Sequence, residues 1–132
     1  MTAPKAPLEL REHDLPKLPP GGILLETVAS EIFGSIAEEM CVVARAGGLR
    51  IIGPNCLGVL APHARLNASF AAMMPRAGQL AVISQSGAIA AAMAEWGNLR
   101  GIGFSAIVSL GDAVDVDFGD LLDFFALDPQ TR

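Results

Sequence analysis

The chain has 132 residues, of which 52% are hydrophobic and 17% are charged, and its formal net charge is −5. This composition excludes an intrinsically disordered protein, and the length suits a domain that buries about two-thirds of its unfolded surface. The acidic balance, without any run of basic residues, argues against nucleic-acid binding, which needs clustered cations. No apolar stretch reaches the roughly 18 residues of a membrane span, and the start of the chain lacks the apolar core of a signal peptide.

The cysteines and histidines form no recognisable catalytic or metal-binding pattern. Cys41 and Cys56 are too few for a disulfide scaffold and lack metal-ligand spacing. His13 and His63 stand in polar or proline-bounded contexts without a ligand partner nearby, and we interpret both as surface residues. These observations favour a reducing, cytoplasmic setting and predict no metal site.

The first part of the chain predicts a leader followed by one strand and one helix. Residues 1–21 contain five prolines and no periodic pattern, which is typical of a disordered or loosely attached segment. The short apolar run at 23–25 is a strand candidate. Ser35 and Glu38 match a capping box that would open a helix, and the glycine pair at 47–48 would end it. An earlier start near Ser30, which would include Ile32 and Phe33, is the alternative.

A compact loop with the sequence Gly-Pro-Asn-Cys-Leu-Gly, residues 53–58, follows the next predicted strand at 49–52. Two glycines and a proline make this loop rigid, and ligands bind at the carboxyl ends of strands in open α/β sheets. The candidate ligand-site residues of the loop are Gly53, Pro54, Asn55, Cys56 and Gly58. The alternative is an ordinary turn that uses glycine and asparagine for unusual dihedrals. No base lies beside Cys56, so the sequence disfavours a nucleophilic thiol.

The strongest local pattern is a strand, a polar turn and a helix after residue 78. We interpret residues 59–78, which contain prolines and scattered apolar residues, as a connector between two α/β units. The apolar run at 80–83 then predicts a strand, and Ser-Gln-Ser-Gly at 84–87 a tight turn. The alanine-rich stretch from Ala88 predicts a helix that ends near Gly97.

This turn allows two interpretations. A helix N-terminus presents amides without intrahelical partners together with partial positive charge, and it therefore suits an anion such as phosphate. The candidate anion-site residues are Ser84, Gln85, Ser86, Gly87 and Ala88. A serine before a helix is also the usual N-cap, which satisfies such amides with no ligand. The local sequence leaves both interpretations open.

The last part of the chain repeats the pattern of a strand and a polar turn. Residues 104–109 predict a strand, parallel to the preceding one because a helix connects the two. Residues 109–112 form a second polar turn at the end of that strand. Asp115, Asp117 and Asp120 precede and open a final helix, where acidic side chains favour the helix dipole. A metal site is the alternative for these carboxylates, although no glycine-centred cation loop is present.

Together the elements predict an α/β fold with parallel sheets and flanking helices. Residues 22–58 offer two strands and one helix, and residues 79–127 offer two strands and two helices. Neither set completes a doubly wound sheet, so we expect the chain to be the middle part of a longer protein. Uncovered sheet edges and apolar faces would then make the isolated chain oligomeric or prone to aggregation.

Several motifs of the chain occur in one order. They are Gly53-Pro-Asn-Cys-Leu-Gly58, Leu66-Asn-Ala-Ser-Phe70, Ile83-Ser-Gln-Ser-Gly-Ala88, Arg100-Gly-Ile-Gly-Phe104, Ser109-Leu-Gly-Asp112, Asp115-Val-Asp-Phe118 and Asp128-Pro-Gln-Thr131. In this order the motifs resemble the nucleotide-diphosphate-forming (NDP-forming) acyl-CoA synthetases. That group includes the ADP-forming acetyl-CoA synthetases and the α subunit of succinyl-CoA synthetase. The resemblance covers residues 22–132 and leaves out the leader.

The resemblance implies a domain organisation and a reaction. It implies a Rossmann-like CoA-binding domain, flavodoxin-like domains of the succinyl-CoA synthetase type, and an ATP-grasp domain or β subunit as partner. Residues 22–74 would be the C-terminal part of the CoA-binding domain with a connector, and residues 75–132 the N-terminal part of the first ligase domain. The family converts acyl-CoA, ADP and phosphate into acid, CoA and ATP through a phosphohistidine, with ATP or ADP and magnesium bound in the complete enzyme.

The resemblance also implies roles for the two candidate sites. The turn at 84–87 would hold the phosphate of the phosphohistidine. The loop at 53–58 would lie near the CoA thiol and the acyl group, with Asn55 as a polar contact and Cys56 as a lining residue.

Two departures from the family pattern limit the activity that we expect. Neither His13 nor His63 lies in the glycine-rich loop that carries the family's histidine, and no ATP-grasp domain is recognisable. We therefore expect no turnover from this chain alone. Two alternatives to a synthetase fragment stay open. One is a synthetase-like regulatory region of a protein acetyltransferase, and the other is a truncated reading frame without function.

Overall fold

The computed structural model describes residues 34–132, which form a four-stranded sheet with helices on it. The elements are α1 (Gly34–Ala46), β1 (Gly58–Ala61), β2 (Leu66–Ser69), β3 (Ala77–Ser84), α2 (Gly87–Arg100), β4 (Phe104–Ser109) and α3 (Phe118–Leu127), with a short 3-10 helix at Pro62–Ala64. The predicted leader at 1–21, with His13, and the predicted strand at 23–25 lie outside the described residues.

The sheet is mixed, with the strand order β2-β1-β4-β3. β3 and β4 are parallel and α2 connects them, as the sequence predicts. β1 runs antiparallel to both β2 and β4. The connection from β1 to β2 is too short for a parallel crossover, so this pair must be antiparallel. The predicted α/β class is confirmed, while the sheet is mixed rather than wholly parallel.

The predicted strand at 49–52 is wrong. The amide of Ile51 donates to Asp115 Oδ2 at 2.8 Å instead of to a neighbouring strand. The carbonyls of Ile51 and Gly53 accept from the amides of Val116 and Val114, both at 3.1 Å. The segment is therefore fixed by the connection between β4 and α3, which we call the β4–α3 connection (residues 110–117), and not by a strand ladder.

The interpretation of residues 59–78 as a connector is also wrong. This stretch contains β1, the 3-10 helix and β2, and it opens β3. Leu60 of β1 is only 1% exposed and is among the most deeply buried side chains. β1 and β2 have four residues each, which is too short for an alternating pattern to stand out in the sequence.

The predicted helix near residue 36 is present as α1. It already includes Ser35, so the predicted N-cap at that residue is not confirmed. The predicted glycine end is confirmed, because α1 ends at Ala46 and Gly48 adopts a left-handed φ of 72°. Cys41 is buried, as expected for a small apolar residue, and its thiol donates to Val114 O at 3.6 Å.

Two apolar clusters pack on the two faces of the sheet. Ile107 and Val108 are consecutive in β4, so they point to opposite faces and join different clusters. The cluster next to α3 consists of Ala106, Val108, Leu110, Val116, Leu121 and Phe125. The cluster next to α2 consists of Leu60, Ala90, Ala94, Phe104 and Ile107. Small residues bring α2 close to the sheet, since a side chain on Gly97 would overlap the Phe104 ring.

None of the helices described between residues 34 and 132 combines the length and apolar character that a membrane-crossing helix requires.

Candidate functional site

The carboxyl ends of β3 and β4 lie side by side, because Ser84 is the register partner of Ser109. The two polar turns that follow these strands are therefore adjacent. The Leu110 amide donates to Ser84 O at 2.8 Å, and the Gly111 amide donates to Gln85 O at 3.2 Å. The backbone of the β4–α3 connection thus fixes the turn that precedes α2.

The loop at 53–58 packs onto the same edge of the sheet. The Leu57 amide donates to Ser109 Oγ at 3.0 Å, and the Asp112 amide donates to Pro54 O at 3.0 Å. Gly111 has a left-handed φ of 55°, and a Cβ there would overlap the carbonyl oxygen of Pro54. Only glycine satisfies both the dihedral and the close approach at this position.

The loop also contacts the start of α2, so the structure brings the two candidate sites together. A Cβ on Gly87 would lie 3.0 Å from Leu57 Cβ and 3.2 Å from Leu57 N. Gly87 is not among the glycines with positive φ. The close approach of Leu57, and not the backbone dihedral, therefore favours glycine at position 87.

The two serines of the turn are both hydrogen-bonded within it. Ser86 is the N-cap of α2, and its Oγ accepts from the Ile89 amide at 3.4 Å. Ser84 Oγ donates to Ser86 O at 3.0 Å and accepts from the Ser86 amide at 3.1 Å. The capping interpretation of Ser86 is confirmed, while Ser84 shapes the turn.

Capping does not exhaust the donors of this turn. A hydroxyl has one hydrogen to donate besides its acceptor sites, so Ser86 can cap α2 and still donate to a ligand. The amides of Gly87 and Ala88 cannot bond within α2, because they belong to its first turn. Among the described residues neither amide has a hydrogen-bond acceptor. These two amides and one hydroxyl form a set of donors suited to an anion.

The 53–58 loop has the unusual backbone that its composition predicts. Gly53 and Gly58 have φ values of 109° and 113°, and Asn55, which is exposed, has φ of 54°. Asparagine tolerates this left-handed conformation better than most residues. The alternative interpretation, a turn that uses glycine and asparagine for their dihedrals, is therefore confirmed as the geometry of the loop.

Cys56 is half-buried and its thiol is protonated at neutral pH. Burial raises the pKa of the Cys56 thiol, and the nearby Asp112 carboxylate raises it further. The thiol donates to Ile52 O at 3.7 Å. A thiolate nucleophile needs the opposite environment, so the surroundings of Cys56 disfavour a reactive thiol.

Asp115 does not serve the helix dipole, contrary to the sequence interpretation. Its side chain is fully buried and accepts from Arg45 (2.6 Å), Arg50 (2.9 Å) and the Ile51 amide (2.8 Å). Burial would raise the pKa of Asp115, but the Ile51 amide and the two guanidinium groups outweigh it and lower the pKa to about 2. The sequence signal for this role was an acidic residue between two valines, Val114 and Val116.

Asp117 and Asp120 lie at the start of α3, as the sequence predicts, but their contacts form a cap that the sequence analysis does not predict. Asp117 is the N-cap of α3, and the two residues form a reciprocal capping box. Arg50 also contacts Asp120 Oδ2 at 3.0 Å. Between residues 34 and 132 no group of three metal-ligating side chains comes together, and exposed His63 bonds Gly78 O at the amino end of β3.

Comparison with known proteins supports the family resemblance. Residues 77–132 match the succinyl-CoA ligase like flavodoxin domain. The α subunit of the ADP-forming acetate–CoA ligase I of Pyrococcus furiosus is 42% identical over 118 residues, which are 84% of this chain and 26% of that protein. The ADP-forming acetate–CoA ligase of Methanocaldococcus jannaschii is 38% identical over 113 residues, 85% of this chain and 16% of that protein.

A solved structure supports the same relationship. The dinucleotide forming acetyl-coenzyme A synthetase 1 of Ca. Korarchaeum cryptofilum, in complex with phosphate and ADP, aligns with a TM-score of 0.72 and 40% identity. The alignment covers 83% of this chain and 24% of that chain.

The fold and the matched residues define an α/β domain of the succinyl-CoA ligase type. The chain is similar to members of the NDP-forming acyl-CoA synthetases, and it spans between 16% and 26% of the length of these relatives.

Proposed function

We propose that this chain forms the part of an ADP-forming acid–CoA ligase where the acyl-CoA and the transferred phosphate meet. The reaction would convert acyl-CoA, ADP and phosphate into acid, CoA and ATP. The observation that carries the proposal is the contact between the 53–58 loop and the start of α2 through Leu57 and Gly87. Transfer between a thioester and a phosphate requires both groups in one place, and the two candidate segments share one surface.

The phosphate half of the proposal rests on the start of α2. The Gly87 and Ala88 amides and the remaining Ser86 hydrogen would donate to the phosphate of a phosphohistidine. α2 has 14 residues, so its dipole adds partial positive charge at these amides. Ser84 and Gln85 would act by shaping the turn, because the Ser84 hydroxyl and the Gln85 carbonyl are already bonded.

The acyl half of the proposal rests on the loop at 53–58. The exposed Asn55 would make a polar contact with CoA or the acyl group, and the protonated Cys56 would line the site. Gly53, Pro54 and Gly58 would hold the loop in the shape that presents Asn55. The family implies no covalent step on Cys56, which agrees with its raised pKa.

The remaining components of the reaction would come from other parts of the enzyme. They are the phosphohistidine, the Mg²⁺-bound ADP or ATP, and an ATP-grasp domain or β subunit. The Pyrococcus furiosus relative is an α subunit, which supports a partner subunit. Apolar side chains are exposed on α1 and α3, namely Val42, Val43, Leu122, Phe124 and Leu127. Such surfaces support the proposal that the chain forms an oligomer, or aggregates when it is alone. The proposed setting is cytoplasmic.

Amide chemical shifts of the ¹⁵N-labelled chain test the phosphate half. Titration with inorganic phosphate should shift the Gly87 and Ala88 resonances first, and Ser86→Ala should weaken this response. Ser105→Ala is the matched control, because Ser105 is a buried serine at the opposite end of β4. An unchanged Gly87 and Ala88 pair at millimolar phosphate would contradict the proposed anion site.

An activity measurement tests the claim that the chain needs partners. The purified chain with ATP, CoA and acetate or succinate should form no acyl-CoA above background. The reason is that neither His13 nor His63 lies in a glycine-rich loop of the kind that carries the phosphohistidine. Acyl-CoA formation that depends on this chain would show that the proposed division of the enzyme is wrong.

A further inference from the structure

Ser109 is a buried serine that the proposed chemistry does not use. It is 0% exposed, so its hydroxyl cannot touch a ligand at the surface of the site. Its Oγ accepts from the Leu57 amide, which is 52 residues earlier in the chain. The ladder of β4 is made by backbone groups, so the strand itself does not require this side-chain bond.

The residues after Ser109 contact the other half of the site. The Leu110 and Gly111 amides donate to Ser84 O and Gln85 O, at 2.8 and 3.2 Å. One three-residue segment therefore fixes the loop through a side chain and the anion-site turn through two backbone amides.

Leu57 is the residue through which a displacement of the 53–58 loop would reach the start of α2. Its amide is bonded to Ser109, and its backbone lies so close to Gly87 that even a methyl group would not fit comfortably between them. If Leu57 moved toward α2, it would close the narrow gap to Gly87, whose amide is one of the two open donors. If Leu57 moved away, the contact would be lost.

We propose that Ser109 is a positioning residue that sets the separation between the 53–58 loop and the Gly87–Ala88 amide pair, so that each segment responds to a change at the other. The role of phosphate in this coupling rests on the proposed function. The mechanical link through Leu57 does not, and it can be measured without a ligand.

The ligand-free test compares amide spectra of four forms of the whole chain: wild type, Ser109→Ala, Ser109→Thr and Ser105→Ala. Ser109→Ala should shift the Gly87 resonance as well as that of Leu57, because the bond that fixes Leu57 is gone. Ser109→Thr keeps the oxygen and should restore both resonances. Ser105→Ala removes another buried hydroxyl, bonded to Thr131 at 2.7 Å, and should leave Gly87 unchanged. An unchanged chemical shift of the Gly87 amide in Ser109→Ala would overturn the inference.

The ligand test adds inorganic phosphate to the same proteins. In the wild type the Leu57 and Asn55 amides should follow the saturation of Gly87 and Ala88. In Ser109→Ala this common response should disappear, and phosphate should bind more weakly by at most roughly fivefold, since the lost hydrogen bond is made to Leu57 and not to the anion. Equal effects of Ser109→Ala and Ser105→Ala would reduce Ser109 to a structural residue.

The two proposals fail in different ways. A wild type whose Gly87 and Ala88 ignore phosphate contradicts the proposed anion site, and the ligand-free shifts then decide the role of Ser109 alone. If Ser109→Ala does not fold, Ser109→Cys takes its place, because it keeps the shape of the side chain with a slightly larger atom and weakens the acceptor. A normal Gly87 resonance in folded Ser109→Cys would contradict the positioning role.

Discussion

The turn before α2 and the loop at 53–58 lie against each other but are stabilised by different kinds of contact. The side-chain bonds of the turn join residues two or three positions apart, such as Ser86 and Ile89. The bonds that fix the loop and the segment before it join residues 52 to 64 positions apart, from Leu57 to Ser109 and from Ile51 to Asp115. The side chains of the turn therefore bond locally, and its long-range support is limited to the Leu110 and Gly111 amides, whereas the loop depends on the β4–α3 connection throughout. Loss of that connection should release the loop, while the turn would lose two backbone bonds and keep those of its serines.

The largest expected effect is the loss of the Asp115 carboxylate. Asp115→Ala would leave the Ile51 amide and two guanidinium groups without their common acceptor. We expect a loss of about 3 kcal/mol in the free energy of unfolding, at the low end for a broken buried ion pair because Arg45 and Arg50 are more than half exposed. Urea denaturation measures this loss. Asp112→Ala, on the same connection with an exposed side chain, is the control and should change stability by less than about 0.5 kcal/mol.

The low pKa of Asp115 predicts how stability depends on pH. The pKa is lowered to about 2 in the folded protein, so this carboxylate stabilises the fold above the ordinary aspartate value near 4. Its contribution of about 2 kcal/mol should be lost as the pH falls from about 4 toward 2. Urea midpoints at several pH values should show this loss in the wild type. In Asp115→Asn the same interval should be flatter, and an identical slope would assign the acid sensitivity to other groups.

A smaller effect is expected at Gly111, where the loop meets the connection. Gly111→Ala would place a methyl group on the Pro54 carbonyl in a left-handed conformation, and we expect a loss of about 2 kcal/mol. Gly48→Ala isolates the cost of the dihedral, because Gly48 has φ of 72° with nothing within 4 Å of its Cβ position. The difference between the two urea midpoints measures the clash with the loop. Equal losses in the two variants would mean that the loop accommodates the added methyl group at no measurable cost in free energy.

The smallest expected effect is at the local cap. Ser86→Ala removes the N-cap of α2 and should lower the free energy of unfolding by about 1 kcal/mol. The amides of the 53–58 loop should keep their hydrogen-exchange protection in this variant, since no long-range bond is broken. Faster exchange at Leu57 would show that the turn and the loop are not independently stabilised.

The local parts of this molecule could be predicted from the sequence. The strand, turn and helix around Ser86 are encoded in consecutive residues, and the acidic residues Asp117 and Asp120 mark the start of α3. The parallel pairing of β3 and β4 followed from the helix between them.

The long-range parts could not be predicted in this way. The four-residue strands β1 and β2 are defined by their neighbours rather than by a pattern of their own. In the sequence Asp115 looks like the other acidic residues before α3, because no neighbouring residue indicates that Arg45 and Arg50 will bind it. For the same reason the sequence placed the loop near a sheet edge but gave no sign that Leu57 contacts Gly87.

The glycines at the two ends of α2 have a mechanical consequence. Gly87 and Gly97 are ten residues apart, which is about 15 Å along the axis, and each one admits a bulky group from outside the helix. The helix is thus closely approached at both ends, by the Leu57 backbone and by the Phe104 ring, while Ala90 and Ala94 are buried against the sheet between them. A group that raised the Gly97 end by about 1 Å would tilt the axis by about 4° over that length. The direction in which the Gly87 and Ala88 amides point is therefore set in part by the packing of a phenylalanine at the far end of the helix.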